Sequence, residues 1–327
     1  MKRIFLYDNI KGLLILLVAL GHVLNICGSY YNYSFGWYKL FTFFMMPLFL
    51  FIMGKFSSQS KKEPKARSKK MFIIFLIMQI ITTIYYGFVL KIISFDKSFL
   101  IPRFTLWYLL TCSYYYLSDY LLRKIKFKHI FIISIIFAIF GGFIPIFTNI
   151  LSISRTINFF PFYVLGFYES EINLESKIKS YKKIFIGLGI IITIFFLFNQ
   201  NFFLSKDTYL KYTYYSYATP LVCFYKRLIL YILFFVYSAF VYCIIPNRKT
   251  IFSKIGNKTM YIYLSHGIIL KSIEKYKFFL TNPILGTIGI YIFVLLSGIY
   301  IYWIINYFKK KGMMVIEGKN KIGKTVT

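Results

Sequence analysis

The stretch Asp8-Asn9-Ile10-Lys11-Gly12-Leu13-Leu14-Ile15-Leu16-Leu17-Val18-Ala19-Leu20-Gly21-His22 decides how this chain is read. Its polar side chains are Asp8, Asn9, Lys11 and His22; the rest are apolar or glycine. A helix turns about 100° per residue, so His22 returns to within about 20° of Lys11 and lies roughly 16 Å further along the axis. Asp8 falls on nearly the same stripe, one turn before Lys11. On a helix that crosses a bilayer, Lys11 marks the inner surface and His22 lies near mid-depth. A titratable side chain at that depth is costly unless it faces protein or water, which makes it a functional candidate.

The composition agrees with a membrane setting. Hydrophobic residues make up 58% of the chain, charged residues 15%, and the mean hydropathy is +0.65; a soluble domain carries about a quarter charged residues. Apolar runs of spanning length recur from end to end, so the expected fold is all-α and polytopic, with about ten transmembrane helices. They are read at 10–28, 38–56, 71–93, 104–122, 130–148, 156–172, 184–200, 222–245, 257–275 and 284–308. One transmembrane domain over 1–310 and a short basic tail over 311–327 follow. The first apolar run is too long for a signal-peptide core, and the first span is read as retained.

Most of the 40 Lys and Arg fall in connectors after even-numbered spans. These are Ser57–Lys70, Arg123–His129, the stretch around Lys177–Lys183, Pro246–Lys258 and the tail from Lys309. That asymmetry predicts both termini in the cytoplasm and a multi-pass protein of the cell membrane. The net charge of +30 is dispersed over short connectors, so it reads as a topology signal and an attraction to anionic lipid rather than a nucleic-acid site. A longer connector, Asn199 to about Leu221, is expected on the outer side, where it can cap a cleft.

Histidine occurs at three positions. His129 sits in a basic connector and reads as solvated. His22 and His266, the latter in Met260-Tyr261-Ile262-Tyr263-Leu264-Ser265-His266, are both expected at mid-depth. A lone intramembrane histidine often serves packing through a hydrogen bond. Two at similar depth point to chemistry, because a neutral imidazole can accept a proton from a hydroxyl. Arg155, at the outer end of the sixth span, either snorkels to the interface or holds a phosphate or an oxyanion. Arg67 and Lys70 lie one turn apart at the inner mouth of the third span, either as positive-inside anchors or as cations for an anionic cytoplasmic cofactor. Cys27, Cys112, Cys223 and Cys243 show no metal-ligand spacing, and no metal is expected. Trp37, Tyr38, Trp107 and Tyr108 read as interfacial aromatics.

Four stretches resemble the membrane-bound acyltransferase family 3, particularly its fucose 4-O-acetylase-like branch. Tyr7-Asp8-Asn9-Ile10-Lys11-Gly12 running to Gly21-His22 resembles the family's basic residue, ten residues, then histidine. Phe44-Met45-Met46-Pro47-Leu48-Phe49 is similar to its Phe-His-Met-Pro-Leu-Phe, and Leu106-Trp107-Tyr108-Leu109 to its Leu-Trp-Phe-Leu. Arg155-Thr156 to Phe160-Pro161-Phe162 and Leu165-Gly166-Phe167, with Tyr263-Leu264-Ser265-His266 much later, complete the order. The resemblance implies transfer of an acyl group, usually acetyl, from cytoplasmic acyl-CoA to a glycan hydroxyl on or beyond the outer face. It implies His22 as the catalytic histidine, Lys11, Arg67 and Lys70 near the donor, and Arg155 in the active cavity. Met45 stands where many relatives carry a second histidine, and His266 is the candidate replacement.

The expected function is therefore an O-acyltransferase, an O-acetyltransferase of cell-surface or lipid-linked glycan. Its donor is acetyl-CoA, and its partners are membrane lipid, the saccharide acceptor and polysaccharide-assembly proteins. The rival readings are a lipid-linked sugar flippase or exporter without covalent chemistry, and a catalytically dead scaffold suggested by Met45.

Overall fold

A computed structural model describes residues 4–31, 39–93, 100–144, 149–199, 210, 213–216, 219–279 and 281–322. Trp37, Tyr38, residues 323–327 of the basic tail and most of the connector after Asn199 lie outside them.

The described residues form helices and turns with no strand. The helices are α1 (Phe5–Tyr31), α2 (Lys39–Ser58), α3 (Pro64–Ile84), α4 (Trp107–Leu122), α5 (Phe127–Phe140), α6 (Ile153–Phe167), α7 (Glu169–Ile172), α8 (Leu174–Ser180), α9 (Lys182–Phe198), α10 (Pro220–Ile244), α11 (Ile251–Gly256), α12 (Thr259–Tyr276) and α13 (Pro283–Ile322). Each apolar run read as a span overlaps at least one of them, but 71–93 runs past the end of α3, 130–148 past the end of α5, and 156–172 crosses from α6 into α7. The stops and starts follow local chemistry. Pro64 and Pro220 open α3 and α10, where a missing N–H costs nothing. Thr250 and Ser253 form a reciprocal capping box on α11. The last helix runs on past position 310 to Ile322.

Among the described residues, five helices are long and apolar enough to cross a membrane: Phe5–Tyr31, Pro64–Val89, Ile150–Phe167, Pro220–Ile244 and Pro283–Phe308. The α8–α9 pair, bent by 79°, makes a sixth if it acts as one span, and Phe44–Ser58 and Phe127–Phe143 are shorter apolar helices. The fourth stretch illustrates why apolar length and helix length differ. Its helix begins only at Trp107, so α4 is 16 residues long, roughly 24 Å. The residues before it leave the helix and are held by Gln79, whose Nε2 donates to the Ile101 carbonyl (3.0 Å) and whose Oε1 accepts from the Arg103 N–H (2.9 Å). Irregular backbone inside a membrane bundle needs such partners.

Close helix crossings rest on paired glycines. A Cβ on Gly54 would sit 2.2 Å from the Tyr163 carbonyl oxygen, and one on Gly166 would sit 1.9 Å from that of Phe51, so α2 and α6 touch backbone to backbone. Gly12 and Gly256 do the same where α1 meets α11, with Cβ approaches of 2.0 Å to the Phe252 and Asp8 carbonyls. Small residues permit this approach where lipid supplies no hydrophobic drive between helices.

Polar contacts gather the basic connectors at one end of the bundle. Asn9 Nδ2 donates to the Pro246 and Arg248 carbonyls (both 2.8 Å). The Tyr120 hydroxyl donates to Glu63 (2.6 Å), and that of Tyr168 to the Ile125 carbonyl (2.6 Å). Lys55 pairs with Glu169 and, at 2.9 Å, with Glu175, which also accepts from the Tyr7 hydroxyl. At the other end the described part of the long connector is anchored inward. Ser154 and Asn158 both donate to the Leu210 carbonyl (2.9 Å), and the Tyr214 hydroxyl donates to that of Ile139 (2.6 Å).

Candidate active site

α1 carries Lys11 and His22 on one side, as the periodicity requires. Lys11 Nζ lies 2.9 Å from the Asp8 carboxylate, one turn back. Lys11, Ile15 and Val18 form one wall of a cavity of about 360 Å³ that opens among the basic connectors. α2 adds Met46, Phe49 and Met53, α3 adds Arg67 and Met71, α4 adds Tyr108 and Cys112, and α12 adds Met260 and Tyr263. Val18 and Tyr263 are the lining residues nearest the histidines along their helices. His22 lies four residues beyond Val18, about 6 Å along the axis, and His266 three beyond Tyr263, about 4.5 Å.

The two imidazole rings meet with centroids 5.4 Å apart. Phe104 lies beside both, 4.8 Å from His22 and 6.4 Å from His266, and the Tyr263 ring is 5.9 Å from His266. His22 is half-buried. His266 is fully buried, and its Nδ1 faces the carbonyl oxygens of Tyr263 (2.7 Å) and Ile262 (3.1 Å). A carbonyl only accepts, so Nδ1 carries the proton and Nε2 keeps its lone pair. That Nε2 is buried without a hydrogen-bond partner. An unpartnered acceptor beside a second imidazole can take a proton from a group that comes within hydrogen-bond reach of it.

Arg155 is buried, with its guanidinium 4.6 Å from the Trp107 ring centre. Trp107 stacks on Phe159 at 5.7 Å on α6. The arginine packs inside the bundle on Trp107 rather than extending to the surface. Trp107 and Tyr108, read as interfacial, are partly buried and pack against the main apolar core.

Arg67 lies in a buried polar cluster. Asp119, wholly buried, accepts from Arg67 Nη2 (2.7 Å), the Ser57 hydroxyl (2.6 Å) and the Tyr163 hydroxyl (2.6 Å). Arg67 Nη1 donates to Ser57, and the guanidinium lies 4.8 Å from the Tyr116 ring centre. Its Nε is buried with no partner. Lys70 is not brought to this cluster: it is exposed and absent from the cavity lining. Met45 is buried in the main apolar core, and its neighbour Met46 is the one that reaches the cavity. His129 is exposed.

Sequence reading missed Asp119, Ser57, Tyr163 and Phe104. Asp119 carried a usable signal, as an acid inside an apolar span; the others are ordinary residues that only the packing assigns. Among the described residues no group of His, Cys, Asp or Glu is arranged to hold a metal ion.

A helical bundle with apolar spans and two imidazoles meeting beyond an apolar cavity defines a membrane protein suited to group transfer. The acyltransferase 3 family model, an acyltransferase domain, matches residues 6–307, and the chain belongs to that family. It is an integral-membrane acyltransferase. No curated protein and no solved structure matches it.

Proposed function

We propose that this protein is an O-acyltransferase, specifically an O-acetyltransferase, which moves an acetyl group from cytoplasmic acetyl-CoA to a hydroxyl of a cell-surface or lipid-linked glycan. The observation that carries this reading is the His22–His266 pair just beyond the inner end of the cavity that opens among the basic connectors. About ten spans with both termini in the cytoplasm of a cell membrane would turn that opening toward the donor, since basic connectors stay inside. Membrane lipid and polysaccharide-assembly proteins are the expected neighbours. Family membership favours acyl transfer over a carrier without covalent chemistry.

In the proposed reaction His22 takes the proton of the acceptor hydroxyl as the oxygen attacks the thioester carbonyl. The C–S bond breaks and the protonated imidazole returns the proton to the leaving thiolate. In a second route the His22 ring nitrogen attacks the thioester carbonyl, the C–S bond breaks, and His266 Nε2 takes the proton released from the His22 ring and passes it to the leaving thiolate; the acceptor hydroxyl then attacks the acetyl-imidazole, the C–N bond breaks, and the hydroxyl proton returns to the His22 ring. Arg155, buried on the Trp107 ring, steadies the acceptor or the developing oxyanion in this reading. Lys11 and Arg67 line the donor cavity, and Lys70 is exposed at its approach. The test is mass spectrometry of surface glycans from cells with and without the gene. Loss of acetyl-sized mass from intact polymer is the expected result, and loss of the whole polymer would identify a carrier.

A further inference from the structure

We propose that the cavity seats the uncharged pantetheine arm of the donor, with Arg67 Nε–H donating to one of its carbonyl oxygens, while the phosphates stay outside against rim lysines. This rests on the acyl-CoA reading above.

Two charged residues, Lys11 and Arg67, occur among the cavity lining, and each carries its own carboxylate: Asp8 at 2.9 Å and Asp119 at 2.7 Å. A phosphate drawn inside would lose its water and meet cations already neutralised. Burying a charge is unfavourable unless a matching opposite charge is available. The geometry of Arg67 makes the same point. Guanidinium binds phosphate best through two parallel N–H groups. Here Nη1 and Nη2 each already donate to Ser57 and Asp119, and Nε is the guanidinium nitrogen left buried with no partner. One N–H matches one carbonyl oxygen, and a buried donor without a partner is costly until something accepts from it.

The remaining wall suits a thin, flexible, mostly apolar chain. Met46, Met53, Met71 and Met260 present thioethers that adjust to an irregular guest. The phosphates have an obvious place: Lys61, Lys62, Lys65, Lys69 and Lys70 are all exposed, close in sequence to the lining residues Ser60 and Arg67.

The experiment is binding of acetyl-CoA and of S-acetyl-pantetheine, which lacks the nucleotide, to purified full-length protein in detergent. The double variant Arg67→Gln/Asp119→Asn keeps the cluster neutral while removing the Nε–H. It should weaken both ligands by the same factor, roughly 10- to 100-fold. A loss confined to acetyl-CoA would place a phosphate at Arg67 and overturn the proposal, as would unaltered affinity for both ligands. A second measurement needs no variant at Arg67. Cys112 lines the cavity, so S-acetyl-pantetheine should slow its modification by a small thiol reagent at least as effectively, at saturation, as acetyl-CoA does. Protection by acetyl-CoA alone would also overturn it. Failure of the unmodified protein to bind either ligand would sink the acyltransferase reading itself, which separates the two failures.

Discussion

The Arg67–Asp119 pair gives the most quantitative test of the structure. Asp119 is 0% exposed, and the Arg67 side chain is 10% exposed. Solvent screening therefore does little, and removal of either partner leaves a charge stranded away from water. Arg67→Gln leaves the carboxylate with the Ser57 and Tyr163 hydroxyls but no countercharge. Asp119→Asn leaves the guanidinium without one. Each single change should cost about 3–5 kcal/mol, the usual cost of breaking a buried pair from one side. The double variant removes both charges and retains groups able to hydrogen-bond, so it should cost no more than the worse single. The double should therefore fall short of the sum of the singles by at least the smaller single effect, about 3 kcal/mol or more. Unfolding of the purified protein by SDS titration in mixed micelles, followed by tryptophan fluorescence, measures all four corners of the cycle. Single effects that simply add, to within about 0.5 kcal/mol, would show that the two charges are not coupled and that the cluster beside the cavity is wrongly described.

Other outcomes follow from the site and the topology. His22→Ala should lower acyl transfer by about two to four orders of magnitude with little loss of folded protein, since general-base catalysis is worth that much; undiminished acylation in a gene-deletion background would remove His22 from the chemistry. His266→Ala should be nearly as severe, because its Nε2 is the one buried, unpartnered ring nitrogen beside His22; a mild effect, with stability lowered instead, would assign it to packing. Cysteines introduced at Ser180, among the basic connectors, and at Asn282, between α12 and α13, should react with an impermeant thiol reagent from opposite sides of sealed vesicles; reaction from one side would overturn the orientation. Gly166→Leu should reduce the yield of folded protein sharply, because even a Cβ there lies 1.9 Å from the Phe51 carbonyl oxygen; normal yield and stability would argue against the α2–α6 contact.

The amino-acid sequence by itself determined the helical, membrane-embedded class, because apolar length and helical periodicity are local properties. It also placed Lys11 and His22 on one face of α1, since helix geometry fixes that from spacing alone, and its motif order pointed to the acyltransferase family to which the chain belongs. It could not tell Arg67 from Lys70. Both are cations one turn apart at the start of α3, and only the fold turns one toward Asp119 and the cavity and leaves the other in water. Nor could spacing bring His266 to His22 across 244 positions, or show that Asn158, Ser154 and Gln79 hold irregular segments against the bundle. Those relations depend on which helices touch, α3 with α4 for Arg67 and Asp119 and α1 with α12 for the two histidines. Periodicity states which way a side chain points around its own axis; only tertiary packing decides what it finds there.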